Sequence, residues 1–385
     1  MARLLKNLKR PNVLYVLTFL VMLGCLSFFS LGNLILTYKN GEQINNEVIG
    51  DDHLESALTG SIFGKSELLN LNGAFRLLLG QDEMNGVVRL DNGYLAEIGD
   101  EAQPDVLEAN VQSLVDLQNK LKDRNIPFLY VLTPYKIEKN NPQLPEYFQD
   151  YTNASMDSFV SGLKSNHVDV LDLRESFSSA NVDHYSLFYR TDHHWNIYGG
   201  FFAFTQITEQ LSDRLNVEVD PALLSLDSYT VKSYPQWHLG SYGQRTGEVF
   251  AGGADDFDIL VPRFETTIID EDTGESGTFW DIMIDDSCLQ VRDYSSRYTY
   301  DTALALGNYR SEGTGCGKKI LLLCDSMGKA VERYLTLAFG EVRIIDAYDP
   351  LQLNENMLEK YQPDVVVVLH FPTQIYEKGM YQFGL

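Results

Sequence analysis

Cysteine is scarce in this chain: four among 385 residues, at positions 25, 288, 316 and 324, with no Cys-x-x-Cys spacing. That excludes a thiolate zinc site, a dithiol redox motif and a disulfide-dense small scaffold. Histidine is also sparse, seven in all. Positive charge is short, with 30 Lys and Arg against 54 Asp and Glu and a net charge of −24. Such a surface repels phosphate backbones, and no basic patch beyond the N-terminal tip offsets it, so nucleic acid is excluded as a partner. Internal repeats and low-complexity tracts are absent. What is present is globular: 44% hydrophobic and 12% aromatic residues, enough for one large core or two modest ones.

The N-terminus breaks the acidic trend. Arg3, Lys6, Lys9 and Arg10 precede a run from Val13 to Leu36 with no charged residue. An apolar run of about 20 residues can cross a bilayer as a helix. The basic flank then predicts a cytoplasmic tip, a single-pass anchor in the cell membrane and an extracellular remainder. The run is longer than the ~7–15-residue apolar core of a cleaved signal peptide. Residues 1–38 are therefore read as tip and anchor, 39–75 as a juxtamembrane spacer and 76–385 as the functional domain. Outside the cell Cys288 and Cys316 are the natural disulfide pair, with three unpaired small hydrophobes as the alternative.

Helix and strand signals alternate from Asn92 onward. Val106–Leu121 and Ala154–Leu163 carry apolar residues at helical spacing, while 127–134 and 168–173 are short continuous apolar runs suited to strands buried on both faces. Tyr198–Leu215 is again helical. Residues 216–315 change character, with turn residues and short β-type runs, and read as a largely β insertion. Alternation resumes at Lys318–Cys324, Ala330–Phe339, 341–346, Leu351–Tyr361 and Asp364–His370. The fold class is α/β: a parallel sheet flanked by helices, with one excursion from it.

Active sites in open parallel sheets form at the carboxyl ends of strands. That rule points to Cys324-Asp325-Ser326-Met327-Gly328, where a serine follows a strand and precedes a helix. Free amides at a helix N-terminus suit an oxyanion formed when Ser326 attacks a carbonyl, although an Asp or Ser there also serves as a plain N-cap. A base is available in Tyr189-Arg190-Thr191-Asp192-His193-His194-Trp195-Asn196. Residues two apart in an extended segment share a face, so Asp192 can accept from His194 Nδ1 and leave Nε2 for the serine proton. His193 then points the other way. A metal site would need further ligands, and His184, His238 and His370 are isolated, so no metal and no cofactor is expected. A polar turn packed by Trp195 is the bland alternative, and Asn196 caps the next helix on any reading.

The 189–196 segment with Gly199-Gly200 resembles the signature of the bacterial DHHW family, itself similar to alginate O-acetyltransferase catalytic domains of the SGNH hydrolase superfamily. Leu132-Thr133-Pro134-Tyr135-Lys136, Leu239-Gly240-Ser241-Tyr242-Gly243-Gln244-Arg245 and the Lys318–Asp346 stretch resemble further family elements in order. The resemblance implies an SGNH-like fold with permuted motif order, Ser326 as nucleophile, His194 as base and Asp192 as its orienter. The family's usual Gly before Asp-Ser is Cys324 here. Amides of Ser326 and Gly328, with Asn308 beside Gly307, are oxyanion-hole candidates. Lys136 and Arg190, at neighbouring strand ends, are candidates for an anionic sugar or phosphate, with Tyr189 and Arg245 as further acceptor contacts. Solvated or ion-paired charge is the plain alternative for the cations.

Function follows as an expectation: a membrane-anchored O-acetyltransferase acting on a surface or exported polysaccharide through an acyl-serine. The resemblance implies a membrane-bound O-acyltransferase as acetyl donor. A carbohydrate acetylesterase uses the same residues with water as acceptor. A non-catalytic polysaccharide-binding scaffold is the rival from another class.

Overall fold

The computed structural model describes residues 11–41, 62–180, 182–294 and 298–385. The basic tip and most of the spacer, 42–61, lie outside the described residues. The chain divides into two compact units, Met1–Asn72 and Gly73–Leu385. In the first, helix α1 (Pro11–Gly41) contains Tyr15–Ile35, a stretch of mean hydropathy 2.0 that is long and apolar enough to cross a membrane. Helix α2 (Lys65–Leu78) spans the division.

The second unit opens with a small antiparallel meander of β1 (Glu83–Met84), β2 (Val87–Arg89) and β3 (Leu95–Ala96). Its main sheet has eight strands. Five run parallel, in the order β5 (Val170–Asp172), β4 (Phe128–Leu132), β13 (Val365–His370), β11 (Lys318–Cys324) and β12 (Gly340–Asp346). Beyond β12 the sheet continues antiparallel through β10 (Tyr309–Glu312), β8 (Thr267–Asp270) and β9 (Ser276–Gly277). The sheet is thus mixed. Three strands from the 216–315 segment extend it, while β6 (Tyr229–His238) and β7 (Asp255–Pro262) pair as a separate ribbon.

Period-two alternation puts successive side chains of each parallel strand into different layers. Leu129, Val131, Ile320, Leu322, Val365 and Val367 face one core, with Phe201, Phe204 and Ile207 of α6 (Ile197–Leu215) and Tyr334, Leu335 and Ala338 of α11 (Glu332–Phe339). Phe128, Tyr130, Leu321, Leu323, Val366 and Val368 face the other. There they meet Leu114 and Leu117 of α3 (Pro104–Lys122), Phe159 and Leu163 of α4 (Thr152–Ser165), and Leu358 of α12 (Glu355–Tyr361). Each fully buried side chain of this kind contributes roughly 1.5–3 kcal/mol, so the central strands are held by many independent increments. The shorter helices are α5 (Leu173–Ser179), α7 (Ser241–Thr246), α8 (Glu248–Ala251), α9 (Phe279–Met283) and α10 (Thr299–Ala303). The Cys288–Cys316 pairing is overturned: both are held as thiols, Cys288 Sγ 3.6 Å from Asp285 O and Cys316 Sγ 3.9 Å from Phe339 O.

Candidate active site

Ser326 begins directly after β11, in a 3-10 turn of Ser326–Ala330. Asp325 fixes that turn: Oδ1 accepts from Met327 N (2.9 Å) and Oδ2 from Phe371 N (2.7 Å). The α-helix itself starts only at Glu332, so Ser326 does not stand at an α-helix N-terminus as expected. The amides beside the hydroxyl belong to the tight turn instead.

The 188–196 segment reaches this turn by close packing. Asn196 caps α6, accepting from Tyr198 N and Gly199 N at 3.0 and 3.1 Å. A Cβ on Gly200 would lie 2.7 Å from Ala330 O, so only glycine lets α6 approach the serine turn this closely. Trp195 Nε1 donates to Met327 O at 3.1 Å and ties the two segments together.

His194 Nε2 lies 2.6 Å from Ser326 Oγ, and His194 Nδ1 lies 2.7 Å from Asp192 Oδ1. Asp192 and His194 are buried, whereas Ser326 is partly open. Asp192 Oδ1 also accepts from His194 N (2.9 Å), and Oδ2 accepts from Ser241 N (2.8 Å) and from Tyr298 OH. Burial alone would raise the Asp192 pKa. The His193 and His194 rings, the hydrogen bond from His194 and the neighbouring His238 overcome it and hold the carboxyl well below its usual range. Tyr300 completes the enclosure, its ring stacked on His194 at 4.2 Å and its hydroxyl donating to Ser326 O at 3.3 Å. An ionised carboxylate, an imidazole with a fixed tautomer and an accessible hydroxyl can perform nucleophilic acyl transfer.

Residues 95–235 match the family described as SGNH hydrolase-like domain, acetyltransferase AlgX. The domain is SGNH hydrolase-like. The matched stretch carries Asp192 and His194 and ends before Ser326. No curated protein matches the chain. Among solved structures, Bacillus cereus PatB1 is similar with a TM-score of 0.60 and 19% identity, over 77% of this chain and 98% of that one. PatB1 with a sulfonyl adduct gives 0.58 and 17%, over 77% and 99%. A DHHW family protein from Eubacterium siraeum DSM 15702 gives 0.59 and 16%, over 78% and 96%. At these identities the likeness is one of fold.

Within the SGNH-like domain several expected site residues have other work. Lys136 is buried, donating from Nζ to Arg190 O (2.9 Å) and Asp192 O (2.5 Å) beneath the Tyr94 and Tyr242 rings. Burial pulls its pKa down to about 7, against the opposing pull of Asp255 and Asp192. Lys136 therefore braces the 190–192 turn and offers no charge to an acceptor. Arg190 is spent on the carbonyls of Ala251 and Gly253, with Asp255 3.9 Å from Nε. Tyr189 is buried, its ring stacked on Phe257. Arg245 pairs with Glu97 and donates to Asn85 O. Asn308 bridges Asp272 Oδ2 and Ile344 N at 2.7 and 2.9 Å, which removes it from the oxyanion candidates. Gly328 N already donates to Asp325 O at 3.0 Å, whereas no hydrogen bond among the described residues uses Ser326 N.

Two histidine expectations also change. His193 does not point away: the chain bends here, its ring lies 3.8 Å from that of His194, and Nδ1 meets Ser241 Oγ at 2.8 Å. His238 is not isolated. It is fully buried, with Nε2 3.2 Å from Asp192 Oδ2 but off the line of a hydrogen bond. Donor atoms of Asp192, His193 and His194 lie within 4.8 Å of one another, close enough to share an ion. The Nδ1 atoms are engaged with Asp192 and Ser241, so a metal bound through them would have to break those contacts. Sequence reasoning missed Tyr298 and Tyr300. They follow a turn-rich stretch without periodicity, and nothing local marks them.

Proposed function

We propose that this chain is a membrane-anchored O-acetyltransferase of the cell envelope that acetylates polysaccharide through an acyl-serine at Ser326. The observation that carries the reading is the continuous relay from Asp192 Oδ1 through His194 to Ser326 Oγ, with contacts of 2.7 and 2.6 Å. The match to an acetyltransferase family's domain supports the group transferred. The apolar helix α1 behind a basic tip supports an anchor with the SGNH-like domain outside.

In this reading Ser326 Oγ attacks the donor's acetyl carbonyl while His194 Nε2 takes its proton. Asp192 holds the imidazole and stabilises the imidazolium. The tetrahedral oxyanion is met by Ser326 N at the head of the turn. Collapse expels the donor's leaving group, which receives the proton from His194, and leaves acetyl-Ser326. A sugar hydroxyl then gives its proton to His194 and attacks the ester, releasing free Ser326. The donor is a membrane-bound O-acyltransferase or the acyl carrier it presents.

The test is acetyl transfer from p-nitrophenyl acetate to an acceptor glycan by the full chain in detergent. Ser326→Ala is expected to abolish transfer while glycan binding persists. Undiminished transfer by that variant would remove the catalytic reading. PatB1 has been solved with a sulfonyl adduct, and phenylmethanesulfonyl fluoride is expected to modify Ser326 here.

A further inference from the structure

We propose that the loops after β12 and β13 form an acceptor subsite for a sugar ring without anionic groups, built on Tyr348 and Gln374. The inference rests on the acyl-serine reading. In the parallel register Cys324 pairs with Asp346 on one side and Leu369 on the other, so these two loops flank the Ser326 turn. Tyr348 is 68% exposed at the carboxyl edge of the sheet, beside Leu351 at 58%. An open aromatic ring at the strand ends presents a face on which a sugar ring can stack. Its hydroxyl is held: Gln374 Nε2 donates to Tyr348 OH at 2.9 Å, bridging the β13 loop to the β12 loop. The other end of that amide, Gln374 Oε1, is buried without a hydrogen-bond partner, so the bridge keeps one acceptor unused.

Charge sets the class of sugar. The carboxylates of Asp346, at the end of β12, and of Asp349 accept from Tyr348 N and Gln352 Nε2, and no cation pairs with either among the described residues. Most cations on the neighbouring strand-end loops are neutralised, Lys378 beside Glu377 being the exception among the described residues. Lys329 pairs with Asp301 (2.6 Å), Lys139 with Asp157 (2.7 Å), and Arg174 with Asp172 and Asp157 (2.7 and 3.0 Å). Lys136 is buried on backbone carbonyls. A uronate or phosphate polymer would meet unpaired carboxylates here, on a chain of net charge −24.

The experiment uses the full chain in detergent, p-nitrophenyl acetate as donor, and cello-oligosaccharide or oligogalacturonate as acceptor. Tyr348→Ala is expected to raise KM for cello-oligosaccharide about tenfold, from the lost stacking, with the p-nitrophenol burst unchanged. Tyr348→Phe, which keeps the ring, retains most of the affinity. Oligogalacturonate is expected to be accepted at least about tenfold more weakly at low salt, with the gap closing as salt is added. An unchanged KM in Tyr348→Ala overturns the subsite, as does equal use of the two acceptors or use of neither. Absence of the burst in the unsubstituted chain overturns the acyl-serine reading itself.

Discussion

Ser326 and Asp192 meet in one site but are held by different kinds of scaffold. Ser326 lies two residues past the end of β11, which is bracketed by parallel strands and packed on both faces by apolar layers. Asp192 sits in an irregular turn, with Lys136 bonded to its carbonyl, and its carboxylate is held by Ser241 N and Tyr298 OH from the 216–315 segment. Dozens of small hydrophobic increments place Ser326, so no single one decides its position. A handful of polar bonds place the acid, and each loss leaves a buried charge undercompensated. The placement of Ser326 should therefore tolerate substitution around it, and that of Asp192 should not.

The sharpest way to break that contrast is Asp192→Asn. It is predicted to lower kcat by about 10⁴-fold with the fold retained, because His194 loses its orienter and tautomer; circular dichroism and steady-state acetyl transfer check both parts. Tyr298→Phe removes one charged hydrogen bond from Asp192, worth roughly 1.5–3 kcal/mol, and should lower kcat by about 10–100-fold at constant KM. It should also move the pH profile, since a hydroxyl donor favours the ionised carboxylate. A merely structural tyrosine would leave the profile in place.

Lys136→Met tests the brace behind the turn. We predict a stability loss of about 2 kcal/mol at neutral pH, read by chemical denaturation. Burial lowers Lys136 from 10.5 to about 7. Between those values the unfolded chain keeps a proton that the folded chain has released, so folding stability rises with pH through that window. That rise is present in the parent chain and should be missing from Lys136→Met. The smallest effect belongs to Arg245→Ala. Its ion pair with Glu97 is exposed, so stability should change by less than about 1 kcal/mol and the acceptor KM should not move.

Legibility in the sequence followed the same divide. β4, β11 and β13 and the helices α3, α4 and α6 were readable because burial imposes a regular period on their residues. Asp192, His194 and Ser326 could be singled out because their types and order suit one chemistry, and the fold brings them within hydrogen-bond distance. The antiparallel continuation through β10, β8 and β9 was not, since short edge strands between turns leave no period. Nor was the fate of the cations at the strand ends. Lys136 and Arg190 look like ligands for an anion in the sequence, and only the fold turns them inward onto carbonyls. Tyr298 and His238 gather around Asp192 from 106 and 46 residues away, which local pattern cannot express.

Peptide mapping of the full chain after brief exposure to p-nitrophenyl acetate addresses the relay most directly. One acetyl group is predicted on Ser326, and almost none in His194→Ala. Acetyl-Ser326 forming at the parent rate without that imidazole, or acetyl accumulating on another residue instead, would contradict the account.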